Sequence, residues 1–110
     1  MEKIIFKATG GMNVGKNYFL AVSLSWPLVK LEIFKDKIVL KYPFNKIEFK
    51  KKEINFLQEY RGFFSKGVQI HHRKLEVNKF IVFWSSKPEK ILQISKKEGY
   101  KIKEEIKKVL

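Results

Sequence analysis

The C-terminal stretch KFIVFWSSKPEKILQISKKEGYKIKEEIKKVL, residues 79–110, decides the fold. Its segment FIVFW, residues 80–84, is five consecutive apolar residues of β-branched or aromatic type, as in a strand covered on both faces. Ser86 and Glu89 then have the spacing of a capping box, and Pro88 falls in the first helical turn, where its missing N–H is harmless. The pattern predicts a last strand followed by a helix.

Apolar residues continue behind this start at helical spacing. Ile91, Leu92 and Ile94 form one stripe. The stripe is extended by Ile102, Ile106, Val109 and Leu110. We therefore expect an amphipathic helix over residues 87–109, interrupted near Gly99. An apolar helix face needs a surface to cover, so we expect it to pack on the sheet with Trp84 beneath it.

Residues 2–84 have the pattern of about seven short strands. The first is expected at 2–8, followed by a glycine-rich loop at 9–16. Along the next strand, residues 17–26, the even positions Leu20, Val22, Leu24 and Trp26 share one side, which predicts the core face. Pro27 marks an edge or a bend, and Lys35-Asp36 is a hairpin candidate.

Strands followed by one helix indicate an α+β domain, not alternating βαβ units. Val29, Leu31 and Ile33 alternate with charged residues, so one sheet face is wet and the sheet is antiparallel. A small antiparallel sheet with exposed edges tends to curl. We expect residues 1–110 to form a single domain, a small sandwich or open barrel capped by its C-terminal helix. An OB-like barrel is the alternative.

The composition restricts the class of protein. Hydrophobic residues make up 45% and aromatic residues 15% of the 110, enough for one packed core. The absence of cysteine excludes a disulfide framework and a thiolate site. No apolar run approaches the ~18 residues of a membrane span, and the first residues lack a secretory apolar segment. These features predict a cytoplasmic protein.

The charge is strongly basic, with 24 Lys and Arg against 11 acidic residues and a net charge of +13. Such a surface attracts nucleic acid, anionic lipid head groups and acidic proteins alike. All the cations except Arg61 and Arg73 are lysines, and lysine is also a general solubilising residue. The charge therefore has two interpretations, a functional basic surface or a compositional bias.

Residues 10–17, GGMNVGKN, have the Gly-x-x-x-x-Gly-Lys spacing of a phosphate-binding P-loop. Asn17 stands where the motif needs a hydroxyl for magnesium, and a strand-like stretch follows where the motif needs a helix. We therefore predict a glycine-rich hairpin loop. Anion binding by its backbone with Lys16 is the weaker alternative.

No catalytic or metal-binding set is evident. His71 and His72 are adjacent, so in a strand they point to opposite faces and cannot hold one metal together. The glutamates lie among lysines without a paired-carboxylate setting. We predict that the protein is not an enzyme and has no metal and no cofactor.

Several stretches together resemble pleckstrin-homology-like (PH-like) domains, in particular the small bacterial ones. They are SWPLVKLEIFKDKIVLK (25–41), GVQIHH (67–72), FIVFWSSKPEKIL (80–92) and Gly99-Tyr100. The resemblance implies seven strands in two near-orthogonal sheets with a capping C-terminal helix. It also implies a binding function, toward phosphoinositide or another anionic lipid, a phosphopeptide, a partner protein or further copies of the chain. Lipid-binding members carry cations on the first two strands and their loop, where this chain has Lys7 and Lys16.

We accordingly predict a non-enzymatic binding or scaffold module that recognises a protein partner or an anionic surface, peripheral to the membrane if that surface is a bilayer. The candidate anion-binding residues are Lys7, Lys16, Lys50, Lys51 and Lys52. The candidate partner-binding residues are Arg61, Phe63 and Phe64. The two phenylalanines form an apolar patch if their loop is exposed and belong to the core if it folds inward. A nucleic-acid-binding β-barrel with a basic, aromatic surface is the alternative function.

Overall fold

The computed structural model describes residues 2–109, which form one eight-stranded sheet and one helix. In chain order the elements are β1 (Phe6–Gly15), β2 (Ala21–Ile33), β3 (Lys37–Tyr42), β4 (Asn45–Lys50), β5 (Ile54–Arg61), β6 (Lys66–His72), β7 (Phe80–Trp84), α1 (Pro88–Lys97) and β8 (Ile102–Lys108). A 3₁₀ turn at Lys51–Glu53 joins β4 to β5. The predicted α+β class is confirmed, with eight strands where the sequence indicates about seven.

The strand order is β4-β3-β2-β1-β7-β6-β5-β8, so the β1–β7 ladder alone joins the first four strands to the other four within residues 2–109. Neighbouring strands are antiparallel, except that β8 runs parallel to β5. Because the sheet bends at its middle, both halves contribute side chains to one core. Its fully buried members include Leu31, Ile33, Leu40, Phe49, Leu57, Ile70, Ile81 and Phe83.

The glycine-rich stretch at 9–16 is strand rather than the predicted loop, because β1 continues to Gly15. The glycines serve close approaches between backbones. A Cβ at Gly15 would overlap with the carbonyl oxygen of Leu20, so the tight turn between β1 and β2 requires glycine there. A glycine-rich sequence indicates a flexible loop. In the fold, however, these glycines allow neighbouring backbones to approach closely because they have no side chain.

The predicted core face of residues 20–26 is wrong except at Leu24, which is partly buried against the core. Leu20, Val22 and Trp26 are exposed, Val22 to 74%. β3 pairs with β2 only at residues 30–33, so the first half of β2 extends past the core and has no strand on its outer side within the described chain. Alternation identifies a face, but the length of the neighbouring strand decides whether that face is covered.

A bulge interrupts the hairpin of β1 and β2. Gly10 lies opposite Val29, whereas Met12 lies opposite Leu24, so β2 has extra residues between these pairs. Pro27 lies in this extra segment and has no N–H to give to a ladder. The predicted edge or bend at Pro27 is thus confirmed.

The helix α1 begins at Pro88, as predicted, and packs through Ile91 against the core beneath β5, β6 and β8. The predicted capping box is absent. The N-cap residue is Lys87, whose N–H donates to Oγ of Ser85, and no side chain caps the first turn. No helix within residues 2–109 is long and apolar enough to cross a membrane.

The predicted helix over residues 87–109 is wrong beyond Lys97. Gly99 has a φ of +93°, and the N–H of Tyr100 donates to the carbonyl of Ser95, which closes the helix with a left-handed cap. The Tyr100 hydroxyl, in turn, donates to the carbonyl of Phe34 at 2.8 Å. This anchor turns the chain back, and residues 102–108 pair with the open edge of β5 as β8.

Trp84 does not lie beneath the helix. On β7 the inward positions are Ile81 and Phe83, so Trp84 points to the opposite face of the sheet. There its ring is 6.0 Å from that of Tyr60 and 6.4 Å from that of Tyr18, centroid to centroid. This second face of the sheet carries the candidate anion-binding site.

Candidate anion-binding site

A concave site of about 560 Å³ lies between the β1–β2 turn and the end of β8. We call it the basic pocket. Its cationic side chains are Lys16, Lys79, Lys107 and Lys108. Its aromatic wall consists of Tyr18, Phe19, Tyr60 and Phe80, and its polar floor of Gln69 and His71. No carboxylate is among the lining residues.

The floor follows from the alternation of β6. Val68 and Ile70 belong to the core, so Gln69 and His71 point to the opposite face. Tyr60 on β5 and Phe80 on β7 flank this face and are themselves nearly buried. The floor of the pocket is therefore formed by strands and not by loops.

The β1–β2 turn forms one wall and is fixed by Asn17. Its Oδ1 accepts the N–H of Phe19 at 2.9 Å and that of Leu20 at 3.0 Å. The turn folds Tyr18 back over the sheet, where its ring stacks with Tyr60 at 6.3 Å and an interplanar angle of 24°. The residue that breaks the P-loop motif is thus the one that shapes this turn, and it places Lys16 at the pocket rim.

The opposite wall is the end of β8. Lys107 lies opposite Tyr60 in the parallel ladder, and Lys108 lies opposite Arg61. The N–H of Val109 donates to the carbonyl of Arg61 at 3.0 Å, which holds the strand end in place. The sequence pattern did not indicate these two lysines, because the apolar spacing around them predicts a helix. Gly99 was the residue that could have indicated a strand here, since it ends the helix before them.

Within the described chain, the four lysines of the pocket have no acidic partner. None of Lys16, Lys79, Lys107 and Lys108 lies within 4.0 Å of a carboxylate of residues 2–109, whereas Lys37, Lys41 and Lys46 on the sheet do. Converging like charges in a concave site raise the local positive potential. The pocket is therefore suited to an anion.

A buried acceptor on the pocket floor also lacks a partner. Gln69 is 8% exposed, and no donor in the described chain lies within hydrogen-bond distance of its Oε1. The neighbouring Gln58 is satisfied, because its Nε2 donates to the carbonyl of Glu105 at 2.8 Å and its Oε1 accepts from Nε2 of His71 at 3.0 Å. An unpaired buried acceptor costs about 1–3 kcal/mol. A ligand hydroxyl would satisfy it.

His71 makes the stability of the domain depend on pH. Burial first, and then the charges of Lys103 and Lys107, lower the pKa of His71 from 6.5 to about 4. Between these values the unfolded chain binds the proton and the folded chain does not, so the free energy of unfolding decreases as pH falls through 6.5. We expect the urea midpoint to be lower at pH 5 than at pH 7, and His71→Gln to reduce this difference. An unchanged difference in the variant would show that other groups cause it.

Of the five predicted anion-binding residues, Lys16 alone lines the basic pocket. Lys7 is at the other end of β1, opposite Glu32. Lys50, Lys51 and Lys52 line a separate concavity, shared with Glu2, Asp36 and Glu48. Within it, the Lys51 Nζ donates to the carbonyl of Glu98 and lies 4.7 Å from the ring centre of Tyr100, which is a structural role at the helix end.

Of the predicted partner-binding residues, Arg61 ends β5, and Phe63 and Phe64 lie in the β5–β6 loop. Arg61 is engaged with Glu59, Nε to Oε2 at 3.0 Å. Phe63 packs edge-on against Tyr18, with ring centroids 5.6 Å apart, whereas Phe64 is 98% exposed. Phe63 is therefore partly covered and Phe64 is open to solvent, so neither predicted alternative, an exposed patch or a core position, holds for both residues.

No family model matches the chain, and no curated protein is similar to it in sequence. Among solved structures it is similar to the Vps36 N-terminal PH domain, with a TM-score of 0.62 and 16% sequence identity. The match covers 88% of this chain and 78% of that chain. At this identity the likeness concerns the fold, and the bacterial subclass stays a prediction. The chain has a PH-like fold.

Proposed function

We propose that the domain is a non-enzymatic binding module that attaches to anionic membranes through the basic pocket. One observation carries the proposal: four lysines, none within 4.0 Å of a carboxylate of residues 2–109, line a single concave site. The PH-like fold is a scaffold of this kind, and the pocket contains no arrangement of nucleophile and base.

The chemistry of the pocket favours a phosphate that carries hydroxyl groups. Lysine ammonium groups bind phosphate as point charges, and four lysines line this pocket. Beneath them, Oε1 of Gln69 is a buried acceptor that a hydroxyl of the ligand would satisfy. A phospholipid head group with a polyol moiety supplies both the phosphate and the hydroxyl, and a serine head group supplies the phosphate and an ammonium N–H donor.

Apolar residues beside the pocket favour a lipid-borne phosphate over a soluble one. Phe19 and Leu20 are exposed next to Lys16 on the β1–β2 turn, and the Phe63 ring lies 6.2 Å from that of Phe19. An exposed apolar tip within a basic rim is the arrangement of proteins that insert into the interface of an anionic bilayer. In this orientation the lysines meet the head groups and the phenylalanines reach the acyl boundary.

Vesicle co-sedimentation at physiological salt tests the proposal. Each lysine near an anionic surface contributes about 1 kcal/mol, so Lys107→Ala/Lys108→Ala should lower the affinity for phosphatidylserine-containing vesicles by about thirtyfold. The matched control removes two exposed lysines of α1, Lys90→Ala/Lys97→Ala, and should have a small effect. Equal losses in both variants would contradict the pocket and leave only general attraction.

Two further measurements distinguish a lipid head group in a membrane from a soluble phosphate and from a nucleic acid. Leu20→Ser should weaken vesicle binding yet leave the affinity for soluble glycerophosphoserine unchanged, because Leu20 is exposed beside the pocket and does not line it. Retained vesicle binding in this variant would contradict membrane insertion. A single-stranded oligonucleotide bound more tightly than vesicles, and lost in Lys107→Ala/Lys108→Ala, would favour the nucleic-acid alternative.

A further inference from the structure

The first half of β2, residues 21–26, is an open edge of the sheet. These residues pair with β1 on one side, whereas β3 reaches β2 only at residues 30–33. Val22, in the middle of the segment, is 74% exposed. Within residues 2–109, no strand pairs with the outer side of this segment, which we call the free edge.

The turn before the free edge determines which of its backbone groups point outward. The N–H of Lys16 donates to the carbonyl of Leu20 at 3.0 Å, and successive residues of an antiparallel strand direct their backbone groups to alternate sides. Val22 therefore directs its N–H and carbonyl to β1, whereas Ala21 and Ser23 direct theirs away from it. No strand of the described chain pairs with these outward groups, so they are available to a further strand.

The free edge lacks the charges that other edges of the sheet carry. The two outermost strands are β4, with the sequence NKIEFK, and β8, with the sequence IKEEIKK. Charged side chains, lysine above all, are the usual protection of an edge strand against pairing with another chain. Charged residues make up 32% of the sequence, yet residues 17–29 contain none. Of these three edges, the free edge is the one that lacks this protection.

The sequence of the free edge is complementary to itself. A two-fold axis at Ser23 would place Ala21 opposite Ser25 of a second copy, and Val22 opposite its Leu24. Small residues would then face small ones and apolar residues apolar ones, which is the pairing that stabilises neighbouring strands. The outward backbone groups of Ser23 would bond to those of its own equivalent. A symmetric dimer requires such self-complementarity of one surface.

We propose that the free edges of two copies pair antiparallel about Ser23, so that the domain forms a symmetric dimer with one continuous sheet. A basic protein attracts acidic partners through its lysines, and this segment has none. A second copy needs only the mirrored pattern of residues 21–25, and its Leu24 would cover the exposed side of Val22. The inference does not depend on the proposed function, because the lysines of the basic pocket take no part in the pairing.

Sedimentation equilibrium over a range of protein concentrations tests the dimer. Two chains of net charge +13 repel each other. We therefore expect dimerisation to strengthen between about 0.1 M and about 1 M salt, because the Debye length falls from about 10 Å to about 3 Å. Binding to anionic vesicles should weaken over the same range, so salt distinguishes the two interactions.

Val22→Lys places a charge in the middle of the proposed interface, at a side chain that is exposed in the single chain. It should weaken dimerisation about tenfold or more, since both symmetry-related pairs with Leu24 are lost. The matched control is Leu75→Lys, which adds the same charge to a residue that is 91% exposed between β6 and β7, and it should have little effect. Val22→Lys should still bind soluble glycerophosphoserine as the unmodified protein does, which separates this inference from the proposed function.

Amide hydrogen exchange locates the interface. The N–H groups of Ala21 and Ser23 should exchange several-fold more slowly at concentrations where the dimer forms than after dilution. The N–H of Val22 is bonded to β1 in both states and should change less. The inference is overturned if the protein stays a monomer at both salt concentrations, if Val22→Lys dimerises as tightly as the unmodified protein, or if the dimer leaves the exchange of Ala21 and Ser23 unchanged.

Discussion

Replacing Phe83 with alanine is expected to lower the free energy of unfolding by about 3–5 kcal/mol. Phe83 is fully buried on β7, which pairs with β1 on one side and β6 on the other. Two ladders hold its backbone in place, so the neighbouring side chains cannot collapse far into the cavity that the substitution leaves. Urea denaturation at pH 7 measures the change through the shift of the midpoint at constant slope.

Phe64→Ala is the matched control, since it removes the same atoms from a side chain that is almost fully exposed. It should change the free energy of unfolding by no more than about 0.5 kcal/mol. A similar loss in both variants would show that Phe83 is not in the core. The pair also checks that β7 presents Phe83 inward and Trp84 outward.

The second large effect is expected from Gly10→Ala, which should cost about 3 kcal/mol or more. A Cβ at Gly10 would overlap with the carbonyl oxygen of Trp84 and lie 2.9 Å from Cζ of Phe83. The overlap occurs beside the β1–β7 ladder, which joins the two halves of the sheet in the described chain. Backbone atoms cannot rotate away, so the two strands must separate. Thermal and urea unfolding should both show the loss.

Gly62→Ala provides the comparison at a second glycine. There the nearest atoms to a new Cβ are Cε1 of Tyr18 at 3.0 Å and Cη2 of Trp84 at 3.2 Å. Both atoms belong to side chains, Tyr18 on the β1–β2 turn and Trp84 at the end of β7, and a movement of a few tenths of an ångström relieves the contacts, so the expected cost is about 1 kcal/mol or less. If Gly10→Ala proved as mild as Gly62→Ala, the close approach of β1 to β7 would be refuted.

The candidate site could be predicted from the sequence only in part. Lys16 is indicated by the glycine-rich segment before it, although that segment is the end of strand β1 and the turn at the pocket rim follows it. Lys107 and Lys108 were not, since their spacing from Ile102 and Ile106 fits a helix as well as it fits an exposed edge strand.

The sequence by itself determined the elements whose signals are local. The buried strand at 80–84, the hairpin at Lys35-Asp36 and the helix start at Pro88 each follow from side-chain alternation or turn chemistry within a few residues. The order of strands before a helix indicated the α+β class, and the resemblance of several stretches to PH-like domains implied the PH-like plan.

The tertiary structure decided whatever depends on a neighbour distant in the chain. β8 is a strand because Gly99 ends the helix and the edge of β5 is open to receive it. Val22 and Trp26 are exposed because β3 is too short to carry the core over them. In each case the local pattern allows two structures of similar free energy, and only pairing or burial against a remote segment selects one.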